Sequence, residues 1–167
     1  NNMWTIIKID KKYLGLLKRE LDKKLGAGLD IYNPKLCVEK YYKNKLIRKE
    51  LTLLGDYIFC FHNQFSNPNI LNSLRFTKGL KYFLNGFDQS QIEIKNFISK
   101  CKESENNDGY LTQKFYQMCL NNNYKFTSGP FTDQIFKIIN LQKNKIDILI
   151  GSIKTNIGKD KFLFRPV

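Results

Sequence analysis

The stretch Leu53-Leu54-Gly55-Asp56-Tyr57-Ile58-Phe59-Cys60-Phe61 decides the fold. Its second half, Tyr57–Phe61, is a continuous apolar run of strand length. Such a run predicts a central strand covered on both faces. Upstream, Leu29–Asn33, Leu36–Tyr42 and Leu46–Leu51 read as further strands, separated by Pro34 and the polar Lys43-Asn44-Lys45 turn. Farther back, Leu14, Leu17, Leu21 and Leu25 fall on one helical face between a capping Asp10 and a terminating Gly26. The short β-branched segment Trp4–Ile9 precedes them and predicts a strand.

Downstream, Asn67-Pro68 opens a short helix with Ile70, Leu71 and Leu74 on its apolar face, and Lys78-Gly79 ends it. Leu80–Leu84 predicts a strand. Ser90-Gln91-Ile92-Glu93 has the capping-box pattern, followed by Ile94, Phe97, Ile98 and Cys101 at helical spacing. Lys102–Gly109 carries no apolar residue and reads as a boundary. Beyond it, Tyr124–Thr127, Ile135–Leu141, Lys145–Ile150 and Lys161–Phe164 have the β-branched content of short strands, which together suggest a small barrel.

The chain has 167 residues, so it holds one ordinary domain or two small ones. A hydrophobic fraction of 42% supplies a core and excludes global disorder. No apolar run reaches the ~20 residues that cross a bilayer, and the start shows no secretory signal. The expected location is the cytoplasm, with no membrane partner and a monomeric state. The net charge is +13, of which +7 lies in residues 1–50, and it points to a polyanionic partner. Cys37, Cys60, Cys101 and Cys119 are too widely spaced for a zinc site or a disulfide framework. No metal or cofactor is expected.

The order strand–helix–strands–helix–strand–helix, then linker and barrel, resembles the NusG family of transcription elongation factors. Trp4 resembles the family's Trp-Tyr start. Leu53–Phe59 resembles its Leu-Phe-Pro-Gly-Tyr-(Val/Ile) segment, with Gly55-Asp56 in place of Pro-Gly. Leu74-Arg75-Phe76-Thr77-Lys78-Gly79-Leu80 is similar to its Val-Arg-x-Thr-x-Gly-Val segment. Phe126-Thr127-Ser128-Gly129-Pro130-Phe131 is similar to the opening of its KOW barrel. The departures point to a specialised, RfaH-like or phage-type branch.

The resemblance implies an α+β fold. A NusG-like N-terminal (NGN) domain with an antiparallel sheet and flanking helices would span 3–102. A linker would follow over 103–120, and an SH3-like KOW β-barrel over 121–167. It implies an antitermination factor that binds the RNA polymerase clamp helices and suppresses pausing or termination. The implied polymerase contacts are Trp4, Leu54, Tyr57 and Phe83, although Tyr57 and Phe83 read equally well as core. Lys11, Lys12, Tyr13, His62, Arg75 and Lys78 would face non-template DNA or nascent RNA. In the barrel, Gly151, Ser152 and Ile153 would form the partner surface in place of the aromatic by which the family meets Rho or a ribosomal protein, so a changed partner is expected there, with Phe162 or Phe164 as the alternative anchor for those two partners.

Two other readings follow from the residues. A KOW-containing RNA-binding or ribosome-associated protein would share the basic charge without touching polymerase. A Cys60–His62 nucleophile and base would share one strand face, but the sequence offers no orienting third group, so no enzyme is expected.

Overall fold

The computed structural model describes residues 2–112, 115–116, 119, 129–157 and 165–166. In chain order its elements are β1 (Met3–Ile9), α1 (Leu14–Leu25), β2 (Asp30–Tyr32), β3 (Lys35–Tyr42), β4 (Lys45–Thr52), β5 (Tyr57–His62), α2 (Pro68–Leu74), β6 (Leu80–Phe83), α3 (Gln91–Glu103), α4 (Pro130–Ile157) and β7 (Arg165–Pro166). The fold is mixed α+β with antiparallel sheets. It divides into two compact units, Asn1–Asn33 with Asp56–Lys95, and Pro34–Gly55 with Asn96–Val167.

The first unit holds a four-stranded sheet in the order β2-β5-β1-β6. Every neighbouring pair is antiparallel. β1–α1–β2 and β5–α2–β6 each join two strands that flank a third, which is the ferredoxin-like split βαβ arrangement. Alternation along the strands sorts the side chains. On one face Ile7, Ile9, Ile58 and Cys60 pack with Leu17, Leu21 and Leu25 of α1 and with Phe65, Leu74 and Leu80. Burying each such leucine contributes about 1.5–3 kcal/mol. The other face carries Trp4, Ile6, Phe59 and Phe61, with Trp4 edge-on to Phe59 and tilted on Phe61. Because Ile58, Phe59 and Cys60 are all buried, β5 is the doubly covered strand that its composition predicts.

The sequence signals at the helix ends act as expected. Asp10 accepts a hydrogen bond from the Lys12 N–H and caps a short 3-10 turn, Lys11–Tyr13, that leads into α1. Gly26 closes α1 at φ 77°. Asn67 caps α2 through the Asn69 N–H, with Pro68 in the first turn.

The second unit contains the β3–β4 hairpin, in register from Lys35↔Thr52 to Tyr42↔Lys45. Lys43 and Asn44 turn it with φ of 50° and 62°, the left-handed pair of a type I′ loop. β7 extends the sheet by pairing with Val38 and Glu39. The hairpin base is fixed by Leu53 N–H to Pro34 C=O and Leu111 N–H to Lys35 C=O. The Glu50 carboxylate accepts from the Tyr110 hydroxyl and pairs with Lys35; both hold its pKa below the ordinary value. Phe97, Cys101, Leu111, Phe131, Ile135 and Ile139 are buried in this unit.

The C-terminal expectation is corrected. Ile135–Leu141 and Lys145–Ile150, expected as strands of a KOW barrel, lie inside the 28-residue helix α4. No closed barrel exists among the described residues. Buried Phe131, Ile135, Ile138 and Ile139 recur at helical spacing, and this pattern overrides local β-propensity. Gly129-Pro130-Phe131, expected to open the barrel, instead starts the helix, with Pro130 where a missing N–H costs nothing. Gly151, Ser152 and Ile153 lie in the last turns of α4 rather than on a late strand. Tyr124–Thr127, Lys161–Phe164 and Phe162 lie outside the described residues. No described helix is long and apolar enough to cross a membrane.

Candidate nucleic-acid interface

The segment Arg75-Phe76-Thr77-Lys78-Gly79 links α2 to β6, and each of its residues has a distinct place. Thr77 is buried and its hydroxyl accepts a hydrogen bond from Lys24 Nζ at 3.0 Å. Gly79 has φ +94°, and its carbonyl accepts from the Asp10 N–H at 2.9 Å. A Cβ here would stand 3.0 Å from Tyr13 Cβ and 3.2 Å from the Tyr13 carbonyl oxygen, so the turn closes only on glycine. That approach brings Lys78 Nζ to 4.5 Å from the Tyr13 ring centroid, while Lys12 Nζ sits 5.5 Å from the same ring. Lys12, Tyr13 and Lys78 thus form one cationic-aromatic platform, the composition that neutralises phosphate and stacks on a base.

Arg75 and Phe76 belong to a neighbouring groove. They line this open groove, of about 780 Å³, with Leu71, Lys81, Tyr82 and Phe83. Phe76 is 93% exposed, so its ring is left open to solvent by the described residues. Lys11 is held differently: with Lys8 it shares the Asp56 carboxylate, at 3.6 and 3.9 Å.

His62 leaves the nucleic-acid set. It is 3% exposed, its Nδ1 accepts the Gln64 N–H, and its Nε2 donates to the Ala27 carbonyl at 3.1 Å. Its ring cannot stack on an external base because the fold has already used it. Burial also pushes the Cys60 thiol pKa up strongly, so the Cys60–His62 pair offers no thiolate at neutral pH. All four cysteines are buried and none is in a disulfide. Among the described residues no cluster of His, Cys, Asp or Glu is placed to hold a metal ion.

The four residues expected to touch polymerase separate. Trp4 and Tyr57 share the sheet face opposite α1 and α2, but Trp4 is only 8% exposed. Tyr57 is half-buried at the end of β5. Its hydroxyl lies 2.7 Å from that of Tyr82, and Lys8 Nζ stands 4.5 Å from its ring centroid. Burial, reinforced by the Tyr82 hydroxyl, pushes the Tyr57 pKa up to about 12. Phe83 packs against the helix-side core, near Phe65 and Phe87. Leu54 is fully buried and belongs to the second unit.

Sequence reasoning missed Lys24, Phe76, Lys81 and Tyr82. Tyr82 was legible as a residue alternating with Phe83 along β6; Phe76 carried no signal, since an aromatic between Leu74 and Leu80 reads as core. The chain matches no protein-family model and no curated protein sequence.

Proposed function

We propose that the protein is a NusG-like transcription elongation factor, with an NGN-type first unit, that binds RNA polymerase and unpaired nucleic acid and suppresses pausing or termination. The observation that carries the reading is the meeting of two distant segments. The Arg75–Gly79 turn, similar to the family's Val-Arg-x-Thr-x-Gly-Val segment, packs on Tyr13 and builds the Lys12–Tyr13–Lys78 platform. The antiparallel split βαβ sheet around it supports the same reading.

Single-stranded DNA or RNA would lie with a base on Tyr13 and phosphates on Lys12 and Lys78. Arg75 would extend the cationic track. The Tyr57–Tyr82 pair, with Lys8, is an accessible part of the aromatic sheet face and is assigned to polymerase. A factor that binds the closed clamp more tightly than the open one raises the closed population by its affinity ratio. The helical C-terminal segment leaves the barrel, and with it the Rho and ribosomal contacts, out of the proposal.

Capture of RNA polymerase from host lysate on the tagged protein, followed by a pausing assay with the purified pair, tests the reading. Polymerase should be retained, pauses should shorten, and Tyr57→Ala should weaken retention. Absence of polymerase from the captured material would overturn it.

A further inference from the structure

The strand β6 is irregular at Lys81. Lys8 pairs with Tyr82 and Ile9 pairs with Leu80, so Lys81 has no partner on β1. This is a bulge, one extra residue that re-aims a side chain. It lets Leu80 and Phe83, three residues apart, both reach the helix-side core, where a regular strand would send them to opposite faces. Lys81 is thereby released from the alternation, and it lines the groove that Arg75 and Phe76 also line.

The polar side chains of this groove are uncommitted. Arg75, Lys81, Asn72 and Asn85 all line it and all are exposed. None of the four forms a side-chain hydrogen bond or ion pair among the described residues. Among the described residues no carboxylate lines it. Phe76 has no ring neighbour there. The more buried part of the lining is Phe83 and Phe87, whose ring centroids lie 6.4 Å apart. The volume of about 780 Å³ falls within the range of about 300–1,000 Å³ that small-molecule sites occupy.

We propose that this groove binds a nucleoside monophosphate, with its base stacked on Phe76 and its phosphate on Arg75 and Lys81. Charge selects the ligand. A phosphate monoester carries about −1.5 to −2 at neutral pH, which two cations match. A phosphodiester inside a strand carries a single charge. Arginine grips phosphate oxygens in a two-pronged fork, and the lysine adds a point charge. The Asn72 and Asn85 amides each offer donors and an acceptor, which is what the edge of a base presents in return. A peptide added along β6 has less to hold it, because the strand is four residues long and its ladder is broken by the bulge.

The inference goes beyond the reading above: neither polymerase nor a strand takes part. Isothermal titration calorimetry on the full chain tests it, with AMP, GMP, CMP and UMP in turn, inorganic phosphate, and a single-stranded oligothymidylate ending in hydroxyls. At least one monophosphate should bind, at one site per chain. Its 3′,5′-cyclic form, a diester with one charge, should bind about tenfold more weakly, the loss of one charge-assisted hydrogen bond. Arg75→Gln with Lys81→Gln should weaken the nucleotide about a hundredfold, and Arg75→Lys with Lys81→Arg should recover most of that loss. Phe76→Ala should weaken the nucleotide about tenfold and leave inorganic phosphate unchanged. All three side chains are exposed, so the variants should keep the fold, which Trp4 emission verifies. Absence of binding by all four nucleotides would overturn the proposal. So would a glutamine variant that binds as tightly as the original chain, or inorganic phosphate held as tightly as the nucleotide. If Phe76→Ala weakens the single strand as much as the nucleotide, the groove belongs to the strand and the proposal also falls.

Discussion

The side-chain amide of Gln91 pairs with the main chain of Trp4 in both directions. Its Oε1 accepts the Trp4 N–H and its Nε2 donates to the Trp4 carbonyl, each at 2.8 Å. The same Nε2 also reaches the Phe87 carbonyl at 2.7 Å. The β6 register on β1 runs from Ile9 to Ile7, with one further hydrogen bond from the Leu84 N–H to the Ile6 carbonyl, and at Trp4 the Gln91 side chain supplies the donor and acceptor that a longer β6 would.

Gln91→Ala should therefore remove the two hydrogen bonds that Gln91 makes with the Trp4 main chain in a partly buried place, at a cost of about 1–3 kcal/mol. Urea unfolding followed by Trp4 fluorescence reads this directly, because Trp4 is the chain's one tryptophan. Gln91→Glu should also destabilise, since a carboxylate accepts from the N–H but cannot donate to either carbonyl. A loss below about 0.5 kcal/mol for both variants would show that water replaces the amide without penalty.

Two glycines should respond to alanine with opposite signs. Gly79 has φ +94° and faces the Tyr13 carbonyl, which cannot move aside, so Gly79→Ala should cost at least about 1 kcal/mol. Gly15, in the first turn of α1, has nothing within 4 Å of a new Cβ and should gain about 0.5–1 kcal/mol from alanine. Denaturant midpoints of the two variants check the pair. A neutral Gly79→Ala would mean that the turn relaxes and that Lys78 need not stay on Tyr13.

Alkaline pH should weaken the first unit. Tyr57 is raised from its ordinary value of 10 to about 12, chiefly by burial and then by the Tyr82 hydroxyl. A proton held more tightly in the folded state gives a contribution fully present below pH 10 and lost as pH rises through about 12. Spectrophotometric titration of tyrosinate in the native protein should show a late-titrating group that Tyr57→Phe removes. A native titration finished near pH 10 would show that Tyr57 ionises like an exposed tyrosine.

Single-strand binding should depend on the platform. Lys12→Ala with Lys78→Ala should flatten the log–log salt slope on single-stranded DNA by about 1.4, two phosphates at about 0.7 each. Tyr13→Leu should weaken binding without changing the slope, because stacking releases no counterion. A slope insensitive to both lysines would make the platform a solvated surface only.

The order and type of the elements from Trp4 to Cys101 were legible in the sequence because local signals there agree with the tertiary result. The leucine stripe of α1, the Asp10 and Asn67 caps, the Pro68 start and the apolar run of β5 all act through near neighbours, and burial reinforced each of them. The motif from Arg75 to Gly79 was also legible as a unit. Its reason was not, because the Tyr13 ring that requires Gly79 lies far back in the chain.

Tertiary structure alone decided three things. It made Trp4 and His62 interior groups, since amphipathic side chains carry no local mark of which end meets water. It joined the Pro34–Gly55 hairpin to the C-terminal unit rather than to the strands that flank it in sequence. And it turned Ile135–Leu141 and Lys145–Ile150 into helix: β-branched residues favour a strand by only fractions of a kcal/mol each, whereas burying Phe131, Ile135, Ile138 and Ile139 along one helical stripe returns several kcal/mol together.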